Sequence, residues 1–222
     1  VGLDAQGVPS YGFYGAGWAD RLLDMQSLSL LPSQISAVQV GSYATVVQPI
    51  ASTLRALVER EYKRTPICYD PNVRLNVEPD LESWRDMLHW MTPRTHLLKI
   101  SEEDLQMLRP GIAPAQFAGE SLAAGVGLVV VTRGAEGAQA WSRQGEASVP
   151  ARVLQVVDTV GAGDTFQAAL LTWLAEHACL SIRGIASLSS AQLADAAGFP
   201  VAAPAITCSR PGVELPRRDA LP

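Results

Sequence analysis

The chain has 222 residues, 48% of them hydrophobic, and a formal net charge of −5. A chain of this length and apolar content can bury a sizeable core and reads as one domain rather than two. An acidic balance without basic clusters argues against a nucleic-acid or membrane-surface partner. No apolar run reaches the ~18 to 20 residues of a membrane span, and no signal peptide opens the chain. Cys68, Cys179 and Cys208 are odd in number and widely spaced. They read as buried thiols of a cytoplasmic protein rather than as disulfides or a zinc site.

In chain order, Ile50, Leu54, Leu57 and Val58 form a helical stripe that stops near Pro66, and Ile67-Cys68-Tyr69 is a short apolar strand that delivers Asp70 at its carboxyl end. Trp84, Leu88 and Met91 mark the next helix and Thr95 to Ile100 the next strand. A helix is expected from about Pro114 to Ala124, a strand over Leu128 to Thr132, and an antiparallel piece around Ala138 to Trp141. Val153 to Val157 reads as a further strand, and Phe166, Leu170 and Leu174 as one face of the helix that follows. Leu193 to Ala197 begins a last helix, expected to break or shift near Gly198 because an interior proline costs ~3 kcal/mol or more and Pro200 and Pro204 follow. Alternation of strand and helix predicts an α/β fold with a mostly parallel sheet covered on both faces. Ligands of such sheets bind beyond the carboxyl ends of the strands, where Asp70, Ser101, Arg133 and Asp158 all fall.

The most informative stretch is Asp158-Thr159-Val160-Gly161-Ala162-Gly163-Asp164-Thr165-Phe166, a glycine-rich turn between strand and helix that ends in a carboxylate. Small residues let the amides of Gly161, Ala162 and Gly163 approach a ligand closely, and a helix N-terminus favours an anion such as phosphate. Asp164 in the first helical turn is placed to accept a proton there. Taken alone, Gly-Ala-Gly is as readily a turn and cap. No Gly-Lys-Ser/Thr follows, and no third glycine completes Gly-x-Gly-x-x-Gly. Ser101-x-x-Asp104 is a helix capping box in its own right. Lys99 is expected to be solvated. His89, His96 and His177 are scattered singly and receive no role, and the five tryptophans read as core or helix-face residues.

Asp158 to Leu171 resembles the C-terminal signature of the PfkB family of carbohydrate kinases, the ribokinase-like sugar and nucleoside kinases. Tyr69 to Arg74 resembles the family's Asp-Pro-Asn-x-Arg segment, found especially in fructokinase-like members. Leu98 to Leu105 resembles the segment carrying its Asn-x-x-Glu motif, with Ser101 and Asp104 as conservative departures. Val129 to Gly137 resembles the strand and turn beside the nucleotide. Val1 to Asp20, with Tyr11-Gly12-Phe13-Tyr14 before Ala19-Asp20, resembles a segment from the family's middle, so a partial sequence is expected that lacks the N-terminal strands, the glycine pair at the sugar and much of the lid.

The resemblance implies a ribokinase-like three-layer α/β/α fold forming a single partial kinase domain over 1–222, with 1–20 a remnant near the lid and substrate and 38–216 the nucleotide-binding and catalytic part. It implies ATP-dependent phosphorylation of a sugar hydroxyl, a ketohexose such as fructose being the best reading, with 2-keto-3-deoxygluconate, ribose and nucleosides open. Asp164 would be the general base and Gly161, Ala162 and Gly163 the anion hole. Asn72 and Arg74 would lie near the sugar and transferred phosphate, where a guanidinium suits an oxyanion. Thr132, Gly134 and Gly137 would border the nucleotide. Asp104 would hold Mg2+ through water, and Asp158, with Thr159 and the loop near Ser209 to Gly212, a monovalent cation such as K+. Family members often pair through lid strands, so the resemblance allows a homodimer of the full-length protein. A non-catalytic nucleotide- or sugar-binding fragment is the alternative; a dehydrogenase would need its glycine loop after the first strand of a βαβ unit. With first strands lost, the sheet is expected to expose a hydrophobic edge.

Overall fold

The computed structural model describes residues 2–3, 9–10, 19–151, 160–208 and 218. Two short antiparallel strands, β1 (Gly2–Leu3) and β2 (Pro9–Ser10), precede the main sheet. That sheet has six strands, β3 (Val38–Gly41), β4 (Ile67–Asp70), β5 (Leu97–Ser101), β6 (Leu128–Thr132), β7 (Ala138–Ser142) and β8 (Gly145–Val149), in sequence order. The first four run parallel; β7 and β8 close the sheet as an antiparallel hairpin. The intervening helices are α1 (Ile50–Glu61), α2 (Leu81–Met91), α3 (Glu102–Leu108) and α4 (Pro114–Ala123), followed by α5 (Ala162–Glu176), α6 (Ile182–Ala186) and α7 (Ser190–Cys208).

Successive strand residues face opposite sides, which divides the interior into two cores. Ile67, Tyr69, Leu98, Ile100, Val129 and Val131 pack against α1 to α4, with Val58, Trp84, Met91, Leu105 and Phe117 supplied from the helices. Cys68, Leu97, Leu128 and Val130 face the other way, against Phe166, Leu170 and Leu174 of α5 and Ile185, Leu193 and Ala197 of α6 and α7. The arrangement is three layers, α/β/α, as expected. The same alternation carried two residues further turns Asp70, Lys99 and Thr132 toward the α5 side.

Local chemistry starts the helices. Asp80 caps α2 by accepting from the amide of Glu82 at 3.1 Å, and Ser101 caps α3 by accepting from the amide of Asp104 at 3.0 Å. Proline opens α4 at a position where its missing N–H goes unneeded. The expected break in the last helix does not occur, because α7 runs unbroken from Ser190 to Cys208, through Pro200 and Pro204. Leu193, Ala196, Ala197, Phe199 and Val201 are buried along it. Each large apolar side chain contributes about 1.5–3 kcal/mol on burial, enough to offset the penalty of an interior proline.

Val38 and Val40 of β3 are covered, so the expected apolar edge is not formed by their side chains. Large exposed apolar side chains lie instead at Leu22, Met25 and Leu30. No helix of the described residues is long and apolar enough to cross a membrane. The predicted strand over Val153 to Val157 and the segment Tyr11 to Tyr14 lie outside the described residues.

The parallel register brings Gly41 beside Asp70. A Cβ on Gly41 would stand 2.2 Å from the Asp70 carbonyl oxygen, so only glycine lets the two strand ends close up. Gly41→Ala is expected to cost about 1–3 kcal/mol, as for overpacking of a tight interior, seen as a lower urea midpoint. An unchanged midpoint would mean that the strand ends can part freely.

Candidate active site

The carboxyl ends of β3 to β6 place Gly41, Asp70, Ser101 and Thr132 along one edge of the sheet. Beyond β4 the chain turns sharply: Pro71 is buried and Asn72 has φ 41, a left-handed conformation that asparagine tolerates better than most residues. Ser42, beside it after β3, donates from its hydroxyl to the Asn72 carbonyl at 3.1 Å. Arg74 is half-buried and donates to the Val73 carbonyl at 2.8 Å, which orients its guanidinium.

Across from this edge α5 begins. Gly161 is left-handed at φ 77 and no side chain caps the helix. The amide of Thr165 donates to the Gly161 carbonyl at 2.8 Å, closing the first turn. This leaves a helix N-terminus, positive in its dipole, with small residues at Gly161, Ala162 and Gly163 and the exposed carboxylate of Asp164 in the same turn. The geometry suits an anion, with a proton acceptor at hand.

Between the two lies a charge cluster. Lys99 is not solvated as the sequence suggested: it is 4% exposed, and its Nζ donates to Asp70 Oδ2 at 2.7 Å. A Cβ on Gly163 would stand 3.2 Å from that Nζ, so the ammonium lies against the first turn of α5. Asp70 is buried with its other oxygen, Oδ1, lacking a hydrogen-bond partner; the nearby Asn72 amide favours the charged form without meeting bonding geometry. Burial pushes the Asp70 carboxyl up, opposed by Lys99 and reinforced by the charge of Asp164. Burial, with the neighbouring Asp70 charge, pushes Asp104 up to about 6 against the pull of Ser101, the Val73 amide and Lys99. Of these three carboxylates, Asp70 and Asp104 share one ammonium, and the charge of Asp164 stands beside Asp70. An excess of negative charge that already strains two of them fits a divalent cation, whose arrival would relieve it. Among the described residues no group of three or more His, Cys, Asp or Glu forms a direct metal cage, so such a cation would keep water among its ligands.

Thr132 ends β6 half-buried, and Gly134 opens the following turn at φ 51 with open space at its Cβ position. Gly137 is turned inward instead: at φ 96, its Cβ position would fall 2.0 Å from the Val149 carbonyl. Its glycine is explained by the close approach of β8. Arg133 is tied to Glu102 at 3.3 Å. Asp158, Thr159 and the stretch Ser209 to Gly212 lie outside the described residues. A separate cleft of about 400 Å³ lies by α2 and α4, lined by Leu88, His89 and Phe117 among others, and none of the edge residues contributes to it.

Comparison with known proteins agrees with this architecture. The pfkB family carbohydrate kinase profile matches residues 9–220. A fructokinase of Rhizobium leguminosarum bv. trifolii is 34% identical over 187 residues, covering 84% of this chain and 57% of the relative. A fructokinase of Klebsiella pneumoniae is 32% identical over 185 residues, covering 80% of this chain and 58% of the relative. The chain therefore spans somewhat more than half the length of these curated relatives. Among solved structures, fructokinase from Vibrio cholerae O395 with fructose, ADP and calcium ion bound superposes with a TM-score of 0.75 at 26% identity, covering 92% of this chain and 64% of that one. A ribokinase-like protein of E. coli superposes with a TM-score of 0.67 at 24% identity, which bears on fold alone. The mostly parallel six-stranded sheet with its helices is the ribokinase-like α/β fold of these neighbours.

The raised Asp104 carboxyl carries a stability signature. Its contribution is fully present below the unfolded value of 3.8 and is lost as pH rises through about 6. Relative to the wild type, Asp104→Asn is therefore expected to gain about 2 kcal/mol in stability between about pH 4 and about pH 7. Urea denaturation at both pH values checks this. A constant offset, or one of opposite sign, would show that the Asp104 charge is not disfavoured by the fold.

Proposed function

Because the chain belongs to the pfkB family of carbohydrate kinases, we propose that the protein transfers a phosphoryl group from ATP to a sugar hydroxyl, with a ketohexose such as fructose as acceptor. The observation that carries this reading is Asp164, an exposed carboxylate in the first turn of an uncapped helix N-terminus that faces the strand-end carboxylates. The acceptor rests on the names of the relatives, several of which are fructokinases.

On this reading Asp164 accepts the proton of the sugar hydroxyl as its oxygen attacks phosphorus. The amides of Gly161, Ala162 and Gly163 donate to the negative charge on the transferred group, from a position fixed before reaction. Arg74 and Asn72, on the strained turn after β4, hold the sugar and the equatorial phosphoryl oxygens. Thr132, Gly134 and Gly137 border the nucleotide phosphates. Asp104 would hold a magnesium ion through water, and the ion would supply neutralisation of the phosphate oxygens. Asp158 is assigned to a monovalent cation such as K+. Phosphoryl transfer demands positioning and charge neutralisation more than covalent participation, and these are the capacities the edge and the α5 turn offer together.

Magnesium- and ATP-dependent ADP release, assayed with fructose, ribose, 2-keto-3-deoxygluconate and adenosine, tests the proposal. Fructose is expected to support the fastest release. Asp164→Asn is expected to lower turnover by about 10²–10⁴-fold with little change in nucleotide affinity. Near-normal turnover in that variant would remove Asp164 as the base, and nucleotide binding without any acceptor-dependent release would favour a binding protein.

A further inference from the structure

The Asp70–Lys99 pair has properties that the fold does not explain. Both side chains are almost wholly buried, at 7% and 5% exposure, and meet through a 2.7 Å hydrogen bond. Such a pair gains little over apolar residues of similar size, because desolvation takes back most of the Coulombic attraction. Asp70 remains pushed up even with its partner in place, and its Oδ1 has only the nearby Asn72 amide, which does not reach bonding geometry. The ammonium also lies against Gly163, at the end of α5 where a helix dipole disfavours a cation. A leucine or methionine at 99 would extend the apolar face begun by Leu97. What the pair does provide is a fixed charge between two elements that must stay in register. On one side is the β4–β5 edge with Asn72, Arg74 and Asp104, and on the other the turn carrying Asp164.

We propose that Lys99 is a further positioning residue of the transfer site. Anchored by Asp70, its ammonium sets the spacing between the strand-end carboxylates and the first turn of α5 and holds Asp70, Asp104 and Asp164 together against their mutual repulsion. Gly163 belongs to the same device, since any side chain there would press on the ammonium. The assignment rests on the transfer site proposed above, but part of its test does not require turnover.

The test uses the full chain with four variants: Lys99→Met, Asp70→Asn, the double variant with both changes, and Lys99→Arg. Each of the first two leaves one buried charge unpaired and should melt lower; the double variant should return to within about 3 °C of the wild type or above it. In the double variant, amide hydrogen exchange over residues 160–169 should accelerate about 10-fold while exchange in β5 and β6 stays unchanged. Sugar-dependent ADP release should fall about 100-fold in kcat with KM for the sugar little altered, as for a misplaced catalytic group, and Lys99→Arg should recover part of it. A double variant that fails to fold, or that melts as low as the single variants, would make the pair structural and overturn the proposal. Wild-type exchange and turnover in a stable double variant would also overturn it. If the wild type releases no ADP while the exchange difference is present, the kinase reading fails and the positioning role stands.

Discussion

One buried ammonium stands where the strand ends meet the start of α5, and the proposed site depends on it. Lys99 bonds Asp70 at 2.7 Å, lies against the first turn of α5, and sits within electrostatic reach of Asp104. Without it, the buried carboxylates of Asp70 and Asp104 would face each other uncompensated beside the charge of exposed Asp164, and, among the described residues, the polar contact left between α5 and the sheet would be the 2.8 Å hydrogen bond that Gln167 Nε2 donates to Gln39 Oε1. Apolar burial builds the two cores but does not prescribe where charged groups meet. That is decided by side-chain alternation, which turns Asp70 and Lys99 to the α5 face, and by a register that sets Cys68 opposite Leu97.

Parallel topology does the rest. Four strands ending at one edge bring together residues far apart in sequence, and each is followed by a turn with its own backbone requirement. Gly41 lets two strand ends close to within contact distance, Asn72 takes a left-handed turn, and Gly161 starts α5 in the left-handed region. Two of the non-glycine residues in the left-handed region, Ser42 and Asn72, lie on this edge, in keeping with a site held ready for an incoming group. The raised carboxyls of Asp70 and Asp104 carry the same message in electrostatic form. A fold optimised for stability alone would not bury like charges side by side, whereas a site that receives a cation would.

Much of this was legible in the sequence. The strand over Leu128 to Thr132 was read at its observed bounds, because an apolar β-branched run between glycines has few alternatives. The face Phe166, Leu170, Leu174 of α5 and the Ser101 cap followed from spacing and hydrogen-bond chemistry. Three things were misread or missed. Lys99 was assigned to solvent on residue type, although a lysine flanked by apolar residues in a strand covered on both faces is buried by position. Pro200 and Pro204 were expected to break or shift α7 near Gly198, because a local penalty is visible in sequence while the packing that offsets it is not. β8, with its alternating exposure and the small residues Gly145, Ala147 and Ser148, carries too weak an apolar signal to be read without its partner β7.

The central claim, that the strand edge and the α5 turn form one nucleotide-dependent transfer site, is tested most directly by following backbone amide resonances of the isotope-labelled chain as magnesium-ADP is added. The account predicts the largest changes at Gly161 to Asp164 and at Thr132 to Gly134, with the Lys99 and Asp70 amides responding next. Changes centred on the cleft by α2 and α4, around Leu88 and Phe117, or none at Gly161 to Asp164 under saturating nucleotide, would contradict it.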